Sequence, residues 1–111
     1  MPGQFEIKKA SNGQFYFVLK AANGEAILKS EMYKAKGSAE KGIASVKANA
    51  AKDANYEKKD AADGKAMFNL RAANKEIIGT SETYSSAAAR DAGIASVKAN
   101  AASATVKDSS A

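Results

Sequence analysis

Two repeated pairs of a glutamate and a tyrosine are the polar side chains best placed to do chemistry. Glu31 precedes Tyr33 by two residues, and Glu82 precedes Tyr84 at the same spacing. Residues two apart on a strand point to one face, so each pair could present a carboxylate beside a phenol in a symmetric ligand site. The alternative is that each tyrosine packs over the junction between a strand and a helix, with its hydroxyl against a neighbour.

A repeated lysine, Lys47 and Lys98, lies at the edge of a predicted apolar helix stripe. There its long stem can cover the core while the ammonium stays in water. The exposed residues Lys41, Ser45 and Asn49 could also touch a partner, although no lysine stands at the position equivalent to Lys41 in the second copy. The candidate partner-binding residues are therefore Glu31, Tyr33, Lys47, Glu82, Tyr84 and Lys98.

Catalytic and cofactor motifs are missing from the sequence. The chain has no Cys and no His, which removes thiolate metal sites, cysteine nucleophiles and the usual general base near neutral pH. Ser38 and Lys41 have the spacing of a Ser-x-x-Lys nucleophile motif, but Ala89 and Ala92 occupy the equivalent positions. The glycines form neither a Walker loop nor a dinucleotide fingerprint. We predict no catalytic residues, no metal and no cofactor.

Length and charge limit the protein class. The chain has 111 residues and a net charge of +5, the size of one small domain. Its first residues lack the basic and apolar regions of a secretory signal, and no apolar run approaches about 18 residues, so we predict a cytoplasmic protein without membrane contact. The positive charge indicates either a polyanionic partner or a soluble surface.

The chain consists of two copies of one unit. Residues 5–50 align without a gap to residues 56–101, and half of the aligned residues are identical. The segment Gly42–Ala50 recurs letter for letter as Gly93–Ala101, so either packing or function restricts it more tightly than the rest. Two copies are too few for a solenoid, so each unit must bury its apolar face against the other. This predicts one pseudo-twofold domain over residues 1–111, a monomer whose residues 102–111 form a final strand and a frayed tail.

Each unit begins with a pattern typical of β-strands. The dipeptide Asn12-Gly13 and its counterpart Asp63-Gly64 predict a hairpin with a type I′ turn. The returning strand places Phe15, Phe17 and Leu19 on a core face, and Tyr16, Val18 and Lys20 on a face open to water. A second turn predicts left-handed backbone at Asn23 and Asn74. A third strand follows over residues 26–32 and 77–83, with its facing unassigned.

A helix follows the three strands. The period changes to 3.6 over Lys36–Asn49, which indicates an amphipathic helix. Ser38 is its predicted N-cap, and Ser85 or Ser86 serves in the second copy. A left-handed C-cap is predicted at Asn49 and Asn100. The chain is extended again after each helix, which gives three strands, a helix and a strand per unit. The apolar stripe consists of Ala39, Gly42, Ile43, Val46 and Ala50.

The segments Ile27–Tyr33 and Ser38–Ala50 together resemble the YegP-like family of small bacterial proteins. The resemblance covers nearly the whole chain, including the duplication, and the second copy departs from it at Gly79 and Thr83. It implies an α+β fold of two tandem β3-α-β units, with a shared antiparallel sheet, two helices and exchange of the strand after each helix. The family brings no established biochemical activity.

Three function classes remain. The first is a noncatalytic binding or accessory protein whose sheet or helix surface engages another macromolecule. The alternative is a weak nucleic-acid-binding protein, suggested by Tyr16 beside Lys20, although Met67 replaces the tyrosine in the second copy. The third is an enzyme using Glu31, Tyr33 and Lys47 in acid–base chemistry, which no cofactor motif supports. The partner's identity, protein or nucleic acid, is open.

Overall fold

The computed structural model describes residues 3–110, and it shows an α+β fold with two helices and seven strands. The first unit contributes three strands and a helix, and a short 3-10 turn at Asp53–Asn55 leads into the second unit. The elements are β1 (Gln4–Lys9), β2 (Phe15–Lys20), β3 (Ala26–Lys29), α1 (Lys36–Asn49), β4 (Tyr56–Asp60), β5 (Ala66–Arg71), β6 (Ile77–Thr80), α2 (Ala87–Ala101) and β7 (Thr105–Asp108).

The strands form one continuous sheet in the order β4-β5-β6-β3-β2-β1-β7. The two units lie side by side and meet where Lys29 on β3 pairs with Thr80 on β6. The strand after α1 is β4, which pairs with β5 of the second unit, and the strand after α2 is β7, which pairs with β1 of the first. Within residues 3–110, only β7 therefore crosses to the opposite unit, so the exchange that the family resemblance implies is found after α2 alone. β4 is itself the first strand of the second unit and pairs within that unit, so the predicted fourth strand of the first unit and its exchange are wrong.

One strand pair departs from the antiparallel arrangement. β7 runs parallel to β1, with Phe5 opposite Val106, so the sheet is mixed. Hairpin turns force β1–β2 and β2–β3 to be antiparallel, whereas β1 and β7 lie at opposite ends of the chain and no hairpin fixes their relative direction. The implied antiparallel sheet is correct for every pair except this one.

The strand turns share one hydrogen-bonding pattern. In the first hairpin the Ala10 N–H donates to the Gln14 carbonyl, and the Gly13 N–H donates to the Ala10 carbonyl. Among residues 3–110, positive φ occurs only at Gly13, Gly24, Gly64 and Lys75. One positive φ per turn is wrong for type I′, which needs two, so the hairpins form but their predicted turn type does not.

The prediction of left-handed Asn23 and Asn74 is also wrong, because the next residue takes that conformation. The Asn23 Oδ1 atom accepts the Glu25 N–H at 3.0 Å, and the Asn74 Oδ1 atom accepts the Glu76 N–H at 3.0 Å. This bond to the backbone two residues ahead is the reason that asparagine suits the position.

Replacing Lys75 by glycine is expected to stabilise the protein. Lys75 has φ +71° where the first unit has Gly24 at +85°, and a residue with a Cβ atom pays about 1 kcal/mol in this region. Urea denaturation of Lys75→Gly should show a rise in unfolding free energy of about that size. Gly24→Lys is the matched control and should lose a similar amount, and equal stability of all three proteins would contradict the argument.

The third strand of each unit contains a β-bulge. Leu19 pairs with Leu28, but Lys20 pairs with Ala26, so Ile27 is the extra residue, and both Ile27 and Leu28 are buried. Ile78 is the extra residue in β6. The bulge explains why the alternation pattern of this strand is ambiguous, because two successive side chains reach the core.

The meeting of β3 and β6 shows why the two copies differ at one position. Gly79 occupies the place equivalent to Leu28, and a Cβ atom on Gly79 would lie 2.7 Å from the Leu28 side chain. Two leucines would therefore collide near the pseudo-twofold axis. The departure of Gly79 from the family pattern thus has a packing explanation.

Both helices cover the same face of the sheet and cross onto the opposite unit. α1 contacts β2, β5 and β6, and α2 contacts β5, β3 and β2. The predicted stripe of α1 is confirmed, since all five of its residues are buried. Four of them, Ala39, Ile43, Val46 and Ala50, join one core cluster with strand residues that include Phe17, Leu19, Phe68 and Leu70.

The helix caps are only partly as predicted. Ser86 caps α2 by accepting the Ala89 N–H at 3.1 Å, which confirms one candidate. Ser38 is wrong, because α1 begins earlier and Ala35 occupies its N-cap position without a side-chain hydrogen bond. The left-handed caps at Asn49 and Asn100 are also wrong, because both residues are helical.

The end of the chain is more ordered than a frayed tail. The Ser109 N–H donates to the Ile7 carbonyl at 2.8 Å, and the Ser109 hydroxyl donates to Glu6 at 2.7 Å. The Ser110 hydroxyl bonds Asp108. The predicted fraying is wrong for Ser109 and Ser110, and Ala111 lies outside the described residues.

Candidate functional site

Each tyrosine of the repeated Glu-Tyr pairs packs between the sheet and a helix. The Tyr33 ring stacks on Phe17 with centroids 6.3 Å apart, and Tyr84 stacks on Phe68 at 6.4 Å. A Cβ atom on Gly42 would lie 2.5 Å from the Tyr33 hydroxyl oxygen. Each tyrosine therefore fills the space left by a helix glycine, which is the packing role offered as the alternative to a ligand site.

The environment of these tyrosines disfavours the phenolate. Burial, followed by the charge of Glu31, raises the pKa of Tyr33. Burial, followed by Glu82 and then Glu25, raises the pKa of Tyr84. Glu25 comes from the other unit and lines, with Glu82 and Tyr84, a shallow groove of about 350 Å³ beside α2. The groove gathers negative charge around a protonated phenol.

The two candidate lysines lie apart from the Glu-Tyr pairs. The Lys47 Nζ atom lies 5.8 Å from the centre of the Phe5 ring on β1. The Lys98 Nζ atom lies 5.7 Å from the Tyr56 ring on β4 and is paired with Asp53. The structure thus brings each glutamate to its tyrosine but places the lysines against β1 and β4.

Packing accounts for much of the repeated helix segment. Gly42, Ile43, Val46 and Ala50 are buried, as are their counterparts in α2. The Asn49 side-chain amide donates to the Ser45 carbonyl at 2.8 Å, and Asn100 makes the same bond to Ser96. The exposed residues Ala44 and Ala48 are also identical to their counterparts in the second copy, and nothing in the structure explains this identity.

The face of the sheet opposite the helices, here called the open face, carries a row of side chains that is polar at every position except Val18, which is buried and not open to water as predicted. Register pairs each of its residues with the next across all seven strands. The Thr80 hydroxyl donates to the side-chain Oδ1 atom of Asn69 at 2.9 Å, and the side-chain amide of Asn69 donates to Glu57 at 3.2 Å. The row consists of Glu57, Asn69, Thr80, Lys29, Val18, Glu6 and Lys107.

Positive charge dominates the open face. The register and the ion pairs place six basic side chains but only two carboxylates on the strands of this face. The excess of four accounts for most of the net charge of +5. The basic residues are Lys8, Lys20, Lys29, Lys59, Arg71 and Lys107, and the carboxylates are Glu6 and Glu57.

Tyr16 adds an aromatic ring to this surface. It lies opposite Lys8 on β1, and the Lys29 Nζ atom is 5.1 Å from the centre of its ring. Tyr16 is half-buried and therefore still reaches solvent. The alternation of β2 predicts that Tyr16 and Lys20 share this face, but the contribution of Lys29 follows from cross-strand register, which the sequence pattern does not show.

Glu6 organises the first-unit part of the open face. Its carboxylate lies 2.7 Å from the Lys20 Nζ atom and accepts the Ser109 hydroxyl. These hydrogen bonds lower the pKa of Glu6 from 4.5 to about 2, although burial acts in the opposite direction. Glu57 takes the same role in the second unit, where hydrogen bonds from Arg71 and Asn69 lower its pKa.

Acid is expected to destabilise the protein through Glu6. Because its pKa is lower in the folded chain, its contribution is complete above pH 4.5 and is lost as pH falls toward 2. Between those values the wild type should lose on the order of 1 kcal/mol more unfolding free energy than Glu6→Gln. Urea melts at several pH values measure this difference. Glu40→Gln, an exposed helix carboxylate, is the control, and parallel pH curves for wild type and Glu6→Gln would contradict the assignment.

Two further observations concern residues 3–110. Within this range neither helix has the length and apolar character needed to cross a membrane. The same residues contain no group of three or more acidic side chains arranged to hold a metal ion.

Comparison with known proteins places the chain in a family. The model of a domain of unknown function, DUF1508, matches twice in tandem, at residues 10–57 and 61–108. The UPF0339 protein YegP of Escherichia coli K12 is 60% identical over 108 residues, which cover 97% of this chain and 98% of that protein. A UPF0339 protein of Acinetobacter baylyi is 58% identical and covers 97% of both chains.

Two solution NMR structures have the same fold. The structure of YegP from E. coli, described as a protein of unknown function, has a TM-score of 0.93 and 59% identity, and the match covers 99% of this chain and 95% of that one. A UPF0339 protein from Shewanella oneidensis has a TM-score of 0.90 and 55% identity, with 97% and 92% covered. The relatives are uncharacterised, and the chain belongs to this YegP-like family of tandem DUF1508 proteins.

Proposed function

We propose that this protein is a small noncatalytic binding protein that engages a partner macromolecule through its open face. The observation that carries the proposal is the separation of the two faces of the sheet. Both helices cover one face, whereas the other presents an excess of basic side chains around Tyr16. Such a surface attracts an anionic partner over a distance and offers an aromatic contact.

A binding role also fits the use of the polar pairs. Tyr33 and Tyr84 are packed against helix glycines, and their raised pKa values disfavour the phenolate that base catalysis would need. The lysines that would complete a catalytic group lie over Phe5 and Tyr56 instead. These placements favour binding over acid–base chemistry.

The test is crosslinking in cells followed by identification of the copurifying molecules. We expect one dominant partner with the wild type and its loss with the variant Lys8→Gln/Lys29→Gln. The matched control is Lys41→Gln/Lys52→Gln, which removes the same charge from exposed residues outside the sheet. Equal recovery of the partner by both variants would show that the open face does not bind it.

Single-stranded nucleic acid is a second candidate partner. Lys8 and Lys29 flank Tyr16, an arrangement that can combine phosphate contacts with base stacking. Fluorescence anisotropy with mixed-sequence DNA and RNA should show binding at about 50 mM salt that weakens as salt rises. Tyr16→Leu should weaken it further while the charges stay in place, and no binding at that salt would eliminate the candidate.

The same proposal includes a monomer in the cytoplasm. The two units pair within one chain, so light scattering should give a mass near 11.5 kDa. Cell fractionation tests the location. A stable dimer would contradict the first expectation, and recovery in the membrane or secreted fraction would contradict the second.

A further inference from the structure

Equivalent strands of the two units have different outer neighbours. Phe5 on β1 lies opposite Leu19, and Tyr56 on β4 lies opposite Leu70 in the same register. β7 covers the outer edge of β1, whereas β4 ends the sheet within residues 3–110. The strand after α2 is free to cover β1, but the strand after α1 is β4 itself. Within residues 3–110, β1 therefore has an outer neighbour and its equivalent β4 has none.

The outer edge of β4 presents unpaired positions for another strand. The Ala61 N–H donates to the Lys65 carbonyl, so the backbone N–H and C=O groups of Ala61 and Lys59 point toward β5. Because these directions alternate along a strand, the backbone groups of Lys58 and Asp60 point away from the sheet. The equivalent residue of Lys58 in the first unit is Ile7, whose carbonyl accepts the Ser109 N–H after β7. The same backbone geometry that holds the last strand on β1 is thus repeated at β4.

Charge indicates what kind of strand would fit. On β1, Val106, Lys107 and Asp108 lie opposite Phe5, Glu6 and Ile7. Tyr56, Glu57 and Lys58 replace these three residues in β4. An apolar, a basic and an acidic residue in succession would then meet an aromatic ring, a carboxylate and an ammonium. Every charge would lie beside its opposite, which is a better match than β7 finds on β1.

A groove beside the edge has room for the apolar side chain. It has a volume of about 470 Å³ and lies between β4 and α2, lined by Tyr56, Ile94 and the stem of Lys98 among others. The Lys58–Asp91 ion pair at 3.1 Å borders it, with both side chains about half exposed. An acidic side chain from a partner could reach Lys58 without removing a buried charge pair.

We propose that the β4 edge binds an extended segment of a partner protein, added parallel to β4, with an apolar, a basic and an acidic residue in succession. Strand addition of this kind takes affinity from backbone hydrogen bonds and specificity from alternate side chains. A second copy of this chain fits less well, because antiparallel self-pairing centred on Lys58 sets two lysines side by side. This edge is separate from the open face, so the two proposals stand independently.

A peptide with the sequence of residues 103–111, SATVKDSSA, is the probe for this edge. It is titrated into the full-length protein labelled with ¹⁵N, and amide hydrogen exchange is followed by NMR. At a peptide concentration ten times the Kd, the Lys58 and Asp60 amides should exchange about tenfold more slowly. The Lys59 amide already faces β5 and should change little. No slowing at millimolar peptide would overturn the proposal, and so would slowing without peptide as the protein concentration rises, because a second copy would then occupy the edge.

A charge reversal tests the register. Lys58→Glu should bind SATVKDSSA several-fold more weakly and should regain binding with SATVKKSSA. Lys59→Glu is the matched control, because it makes the same charge change on the same strand but on the open face. Equal weakening by both variants, or no recovery with the second peptide, would show nonspecific attraction and overturn the assignment. The open-face variant Lys8→Gln/Lys29→Gln should bind the peptide like the wild type.

Discussion

Residues 1–55 and 56–111, produced as separate chains, are expected to be unfolded when each is studied alone at low concentration. Each helix packs on strands of the other unit, since α1 contacts β5 and β6 while α2 contacts β2 and β3. Separation also removes β7 from β1. A fragment of this size buries too little apolar surface to offset the conformational entropy of folding.

Circular dichroism and denaturant titration of the two fragments measure this effect. The loss should be complete, meaning no cooperative transition for either fragment, whereas an equimolar mixture should regain the spectrum of the whole chain. Any helical signal in one fragment alone should depend on its concentration, because it would require self-association. A cooperative, concentration-independent transition in one fragment would show that a unit folds by itself.

Gly42→Ala and Gly93→Ala are expected to destabilise the protein, which is opposite to the usual effect in a helix. Alanine normally stabilises a helix interior by about 1 kcal/mol relative to glycine. Here the new Cβ atom would lie 2.5 Å from the Tyr33 hydroxyl and 2.9 Å from the Phe17 ring, and Gly93 faces Tyr84 in the same way. Overpacking should outweigh helix propensity, leaving a net loss of about 2 kcal/mol per site.

Two further variants separate packing from propensity. Gly37 lies in the same helix, and no atom lies within 4 Å of a Cβ atom added there, so Gly37→Ala should stabilise the protein. Tyr33→Phe removes the nearest clashing atom, so Gly42→Ala should cost less in that background than in the wild type. Urea melts of the four proteins complete the cycle. Destabilisation by Gly37→Ala, or an equal cost of Gly42→Ala in both backgrounds, would contradict the packing account.

The two proposed binding surfaces are the open face and the outer edge of β4. The repeated tyrosines and helix segments are held by packing in both units, so they leave little freedom for a ligand site. The open face keeps its charges in both units, since Glu57, Lys59 and Arg71 stand for Glu6, Lys8 and Lys20. The edges of the sheet differ, because β7 covers the outer edge of β1 and nothing within residues 3–110 covers that of β4. These two surfaces are therefore where binding variants should be made first.

The sequence by itself determined the local elements and the duplication. Alternation identified the core face of β2 through Phe17 and Leu19, and the 3.6-residue period identified the buried stripe of α1. Both signals depend only on which side chains avoid water along one element. The sequence also predicted a cap at Ser85 or Ser86, of which the structure has Ser86, because that bond is made within four residues.

Only the tertiary structure decided what depends on contacts between distant residues. The parallel pairing of β7 with β1, the row that joins Lys29 to Thr80, and the fit of Tyr33 over Gly42 all arise when separate elements meet. The bulge at Ile27 hid the facing of β3, because an extra residue breaks the period on which the prediction relies. The exposure of the outer edge of β4 and the coverage of the outer edge of β1 follow from the pairing of β7 with β1, and the pattern within a single strand does not encode its pairing with a distant strand.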